Sequence, residues 1–310
     1  MQFAANQLMD KLPVNRTYDV FNVLDELFFV YSLVTLPVYI TMVLALLKFH
    51  SKLGTSFFTL SISVGCADIY YTIHKYVCTV IVKWTFTEYF LNNSEFALFA
   101  KAGSWASYYA SIPGVVLIAM NRCTALTKPT AFKSIWNKES VQKRIAIQWM
   151  LGLLFIPFLV LPGNKCHLTG NFAEAQFDDE QVEKFYWSCC VLLECGVYAP
   201  AIIFFYVKAF LGLWKHKRTA VEPAQPRQSS QNSSKNLELR LALLAFIVTS
   251  LYLCLCCFWL SIVFDFTPKF VRRGWRYATD LFVSSNPWLL LVFSSQAREC
   301  FLKFARLKGR

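Results

Sequence analysis

Residues 27–47 read LFFVYSLVTLPVYITMVLALL, without one charged side chain. A helix rising about 1.5 Å per residue covers a hydrocarbon core of roughly 30 Å in about 20 residues. This stretch therefore predicts a membrane-spanning helix. Six more follow at about 57–82, 96–119, 145–161, 187–213, 241–264 and 277–293. The fourth is the shortest and must run close to the bilayer normal. The expected fold class is an all-α membrane protein, a seven-transmembrane helix bundle in which residues 1–310 form a single domain.

Charge sets the orientation. The first, third and fifth gaps and the C-terminal tail hold 19 of the 31 lysines and arginines. Basic residues in short loops stay on the cytoplasmic side, which places the N-terminus outside and the C-terminus inside. Twelve of the 19 acids fall on the proposed outer side, four inside and three within spans. The sequons at Asn15 and Asn92 also fall outside, as glycosylation requires, whereas the sequon at Asn232 falls inside. One gap runs against the trend: Lys269, Arg272, Arg273 and Arg276 crowd the short sixth gap, placed outside. They read as a solvated loop, or as basic groups for an anionic ligand or lipid headgroups.

The chain is 56% hydrophobic and 16% charged, below the roughly 25% charge of soluble domains. Its net charge of +12 sits beside membrane spans, so the expected partner is anionic membrane lipid and no nucleic acid. Residues 1–24 contain no apolar core, so no cleavable signal peptide is expected and the first span inserts itself. Residues 221–236, containing EPAQPRQSSQNSS, read as a flexible cytoplasmic loop. Residues 295–310 suit an amphipathic helix at the inner membrane surface, with Cys300 placed for palmitoylation. Of eleven cysteines, Cys166 is the one clearly within an outer loop. Cys78 is its expected disulfide partner, with Cys189 and Cys190 as competitors.

No zinc-protease, nucleophile-elbow, phosphate-loop or dinucleotide motif occurs, so no enzyme, metal or cofactor is expected. No segment repeats another, against a transporter of paired halves. What needs explaining is the ionisable groups inside spans: Asp68, Lys75, Glu194, Lys208 and Asp280. Each costs about 3 kcal/mol at the bilayer centre on insertion scales, so each should face the bundle interior or snorkel. Lys208, near the inner end of span five, can snorkel. Lys75 and Asp280 fall at similar depth on spans two and seven and are expected to pair beside an outward cavity. Trp105, Tyr108 and Tyr109 on span three and Trp259 on span six suit an amphiphilic small-molecule pocket, although plain aromatic core packing is the leading account of any one of them. Prolines at 37, 113, 157, 200 and 287 predict kinks.

Residues 120–136 read MNRCTALTKPTAFKSIW, and residues 285–294 read SNPWLLLVFS ahead of a basic aromatic stretch. With seven spans and an outside N-terminus, nearly the whole chain resembles the nematode serpentine chemoreceptors, in the gamma-like group and most like class v. More distantly it is similar to rhodopsin-type receptors. In that resemblance Arg122 matches the arginine ending their third span, while Asn121 replaces its acidic neighbour. Asp68, Trp149, Pro200 and Asn286–Pro287 match other recurrent positions. Trp259 lacks the proline that usually follows, span one lacks their asparagine, and span three lacks their outer cysteine. Span seven carries no lysine, which removes a retinal Schiff base.

The resemblance implies a chemosensory G-protein-coupled receptor, multi-pass in the plasma membrane and placed at a sensory neuron cilium. It would bind a small environmental chemical from the outside, with Lys75, Trp105, Tyr108, Trp259 and Asp280 lining the ligand pocket. A heterotrimeric G protein would be the partner inside. Asp68, Asn121, Arg122, Asn286 and Pro287 would form the switch and coupling positions. The competing reading is a ligand-gated channel subunit or small-molecule transporter.

Overall fold

Short polar side chains mark where the helices begin. Asn93 Oδ1 accepts from the Phe96 N–H at 3.0 Å, Asn137 Oδ1 from Ser140 N–H at 2.8 Å, and Asp179 Oδ1 from Gln181 N–H at 2.8 Å. Each satisfies a first-turn donor that the helix itself leaves unpaired. The computed structural model describes residues 15–53, 55–78, 93–154, 156, 165–168, 175–219, 247–261 and 268–308. Within them lie α1 (Asn15–Lys48), α2 (His50–Leu53), α3 (Ser56–Tyr76), α4 (Ser94–Thr127), α5 (Pro129–Ile135) and α6 (Lys138–Leu153). A two-stranded hairpin follows, β1 (Cys166–Leu168) antiparallel to β2 (Ala175–Phe177) with Cys166 opposite Phe177. Then come α7 (Glu180–Leu193), α8 (Ala199–Thr219), α9 (Ile247–Ser261), α10 (Pro268–Phe293) and α11 (Ser295–Lys308).

Among the described residues, three helices are long and apolar enough to cross a membrane: Val23–Lys48, Ser94–Thr127 and Glu180–Gly212. Ile247–Ser261 is a shorter apolar helix. The bundle is apolar on its outer face as well as in its core. Leu27, Val30, Leu33 and Val34 on α1, and Phe204, Val207, Phe210 and Leu211 on α8, stand more than half exposed. Asp68, Glu194, Asn121 and Gln148 are buried almost completely. A wide apolar exterior around an apolar core that also holds buried polar side chains marks a surface that meets something other than water.

Helix α4 is the axis. Its 34 residues span about 50 Å at helical rise, and it packs against α3, α6, α8 and the hairpin. The contact with α6 is close because Gly152 presses against α4: a Cβ there would meet the Ala106 carbonyl oxygen at 2.5 Å and the Ala110 methyl at 2.8 Å.

Two boundaries differ from the sequence expectation. The stretch 187–213 is interrupted by a π-helical turn at Glu194–Tyr198. Pro200 supplies a reason, since it lacks an N–H and its ring crowds the carbonyl four residues back. The basic residues of the expected sixth gap lie on α10, which starts at Pro268; proline fits a first helical position because its missing N–H would be unpaired there anyway. The loop 221–236, Asn92, Pro157 and the ends of the sixth stretch lie outside the described residues, while Asn15 opens α1. The tail carries the helix α11, where Cys300 is partly buried and Lys48 stands 5.5 Å above the Phe304 ring.

Gly152→Val should cost about 1–3 kcal/mol through overpacking against α4. Gly196→Ala, whose nearest neighbour would be Leu192 at 3.6 Å, should stay within about 0.5 kcal/mol. Thermal unfolding of the purified protein compares the two directly.

Candidate functional site

Four polar assemblies lie stacked along α4. At one end, Lys101 on α4 and Glu183 on α7 form a buried ion pair at 2.7 Å. Glu183 also accepts from the Phe177 N–H at 3.0 Å and from Trp187 Nε1 at 2.5 Å. The Lys101 ammonium lies 3.9 Å above the Phe177 ring. One carboxylate thus ties the hairpin to two helices. Glu180, at the exposed start of α7, pairs with Lys184 one turn on at 2.7 Å.

Beneath this pair sits an aromatic cluster. Trp105 stacks on Trp275 at 5.9 Å between ring centroids, and Trp259 lies 4.8 Å from Trp187 and 5.1 Å from Trp275. Trp105 stands edge-on to Tyr186 at 4.8 Å. Glu194, fully buried in the π turn, accepts from Tyr108 Oη at 3.1 Å and Tyr109 Oη at 3.0 Å. The structure therefore gathers Trp105, Tyr108 and Trp259 around one carboxylate.

Lys75 and Asp280 are in direct contact across α3 and α10, each largely buried. Arg276 bonds Asp25 beside them, and Tyr277 Oη donates to the same Asp25 oxygen at 2.6 Å. These charges adjoin the aromatic cluster through Tyr71, whose ring lies 5.8 Å from Lys75 Nζ and 6.3 Å from Tyr108.

At the middle level Asp68 is completely buried and takes three neutral donors. Tyr39 Oη gives to Oδ2 at 2.5 Å, Ser111 Oγ to Oδ1 at 2.6 Å, and Asn286 Nδ2 to Oδ2 at 2.7 Å. Helices α1, α3, α4 and α10 are thereby joined at one point. A cavity of about 40 Å³, bordered by Tyr39, Ser61, Tyr206 and Asn286, adjoins this knot. It is the size of a few waters and too small for an organic ligand. Toward the far end of α4, Asn121 Nδ2 donates to Ser56 Oγ at 2.7 Å. The Arg122 guanidinium lies 3.5 Å above the Phe57 ring, with its Nε lacking an acceptor among the described residues. Pro287 lies within α10 beside Asn286.

The expected Cys78–Cys166 disulfide is corrected: both remain thiols, as do Cys189 and Cys190. Cys78 Sγ faces His74 Nε2 at 3.7 Å. Cys166 is fixed by strand pairing and by its N–H bond to Ser94 Oγ at 3.2 Å. Burial pushes its thiol up to about 11, which keeps it protonated and unreactive.

Sequence reading passed over Lys101, Glu183, Trp187 and Trp275. The signal was present as spacing: Lys101, Trp105, Tyr108 and Tyr109 follow at helical intervals, as do Glu183, Trp187, Cys190 and Glu194. Each set is one buried face, and the two faces meet.

The chain matches the family described as serpentine type 7TM GPCR chemoreceptor Srv over residues 28–307. It is also 26% identical over 291 residues to serpentine receptor class V-1 of Caenorhabditis elegans, a match covering 88% of this chain and 87% of that protein.

Removing either member of the Lys75–Asp280 pair should destabilise the fold by about 3–5 kcal/mol, because the remaining charge is left buried. Exchanging the two residues should recover part of that loss. Surface expression and melting temperature of the single and exchanged variants read this out; an exchange no better than the singles contradicts it.

Proposed function

The chain belongs to the Srv family of serpentine seven-transmembrane chemoreceptors, and from that premise we propose that it binds a small environmental chemical from outside and activates a heterotrimeric G protein inside. In this reading residues 1–310 are one receptor domain in the plasma membrane of a sensory cilium. It crosses seven times, with the N-terminus outside and the C-terminus inside. The aromatic cluster, with Lys75 and Asp280 at its flank, receives the ligand. Asp68, Asn286 and Pro287 form the switch, and Asn121 and Arg122 lie at the coupling end. Sugars on Asn15 and Asn92 and a palmitoyl group on Cys300 complete the proposed surface chemistry.

One observation carries the reading. Helix α4 bears Trp105, Tyr108 and Tyr109 at the aromatic cluster, Ser111 in the Asp68 knot, and Asn121–Arg122 beyond it. A ligand that moves this helix or its neighbours at the first position must act on the other two. A ligand shifts the bundle only to the extent that it binds two arrangements unequally, and typical coupling amounts to about 1–3 kcal/mol. The knot is suited to two arrangements because its four helices are joined by short side chains and one cavity-side amide, Asn286. The Arg122 guanidinium, held on a ring rather than by a carboxylate, is available to donate to an acidic or carbonyl partner. No catalytic step enters the reading.

Expression with a G-protein activation reporter and a panel of volatile and water-soluble compounds tests it. An active compound should act on the parent chain, and Arg122→Ala should lower the response about tenfold or more, within the reach of such coupling. Ligand binding to Arg122→Ala should remain close to that of the parent. Current evoked by the same compound without G-protein dependence contradicts the reading.

A further inference from the structure

The charge partners in the bundle leave one carboxyl group apart. Glu183 has Lys101, Asp280 has Lys75, and Asp25 has Arg276. Asp68 has no cation beside it among the described residues, but it accepts three hydrogen bonds shared between its two oxygens. Glu194 is equally buried, accepts only the two tyrosine hydroxyls, and pairs with no basic side chain among the described residues. A carboxylate in a low-dielectric interior has four lone-pair directions to satisfy and a charge to balance.

Its surroundings are aromatic and incompletely bonded. Trp259 Nε1 is buried facing Glu194 and makes no well-formed hydrogen bond. Tyr252 Oη, Trp275 Nε1 and Tyr186 Oη are also buried in this cluster without a partner among the described residues. Four unpaired polar atoms and a half-satisfied carboxyl group in one apolar cluster are a group that can gain by bonding something further. Faces of indole and phenol rings carry negative quadrupole potential, so the ring cluster and the carboxyl group favour the same sign of charge.

We propose that Glu194, with Trp259 and the neighbouring indoles, is a recognition point for an ammonium group, and that the ligand class is a small organic amine or quaternary ammonium compound. This rests on the receptor reading for the place where the ligand acts. An anion is repelled by the same carboxyl group, and a purely apolar compound leaves the orphan donors as they are. The indole N–H groups donate only, so the compound that fits best carries an oxygen acceptor a few bonds from its nitrogen. Rings packed at 4.8–5.9 Å must part to admit it, which favours compact head groups on short stems.

The test uses the purified full chain in nanodiscs, with no G protein. Choline, tetramethylammonium and phenethylamine are compared with 3,3-dimethylbutan-1-ol, the uncharged carbon isostere of choline. Melting temperature and tryptophan fluorescence are the readouts. The cations should raise the melting temperature and quench indole emission, with at least one binding about tenfold or more tighter than the alcohol, a ratio that a desolvated cation–π contact supports. Glu194→Gln, which keeps an acceptor for the tyrosines, should lose about tenfold of that affinity. Trp259→Phe, which keeps a ring but loses the indole, should weaken it less. Equal binding of the alcohol, unchanged affinity in Glu194→Gln, or no shift with any of the three cations overturns the inference. Binding without G-protein activation would count against the receptor reading alone. Activation by neutral compounds with Glu194→Gln unimpaired would count against this inference alone.

Discussion

A carboxyl group with no access to solvent must be satisfied from within, and Asp68 shows what that requirement does to a bundle. Its donors come from three helices other than its own. Leaving a buried acceptor unpaired costs about 1–3 kcal/mol, so each of those helices is held at the depth where its donor reaches. Apolar packing alone does not supply such a constraint, because one lipid-like face slides past another at little cost. The knot specifies register, and the assemblies at either side inherit it.

Above and below that level the chain uses the same rule with different partners. Lys101 and Glu183 bind the hairpin to α4 and α7; Lys75 and Asp280 bind α3 to α10. Where charges pair, the structure is cross-linked. Where they do not, at Glu194 and Arg122, polar atoms are held on aromatic rings and tyrosine hydroxyls. Glu194, in the π turn, meets α4 at Tyr108 and Tyr109, and Arg122 lies on α4 beyond Ser111 of the Asp68 knot. In the proposed reading, the first of these regions serves a ligand, the second a protein partner, and α4 is the element between them.

Much of the architecture was legible because hydropathy and helical period are local properties. The stretch 96–119 falls inside α4, and 27–47 falls inside α1. The pairing of Lys75 with Asp280 could be read from depth, since both residues stand out against apolar neighbours. The Lys101–Glu183 pair was not legible because Glu183 falls in the polar gap ahead of the fifth stretch, where hydropathy assigns no depth, and only the hairpin and α7 bring it to Lys101. The π turn at Glu194 depends on backbone hydrogen bonding around Pro200, which hydropathy does not report. Cys78 and Cys166 stand as separate thiols. Compartment shows which thiols are able to oxidise, whereas a disulfide also needs two Cβ atoms within a narrow geometry. The sixth gap reads as a loop because its charge masks a helix that begins at Pro268.

The whole account requires that ligand and G protein meet the bundle from opposite sides of a membrane. Epitope tags on Met1 and Arg310, probed with antibody on intact and then permeabilised cells, test this most directly. The account predicts that the Met1 tag is labelled on intact cells and the Arg310 tag only after permeabilisation. Labelling of both tags on intact cells, or of neither before permeabilisation in a chain shown to reach the surface, would contradict it.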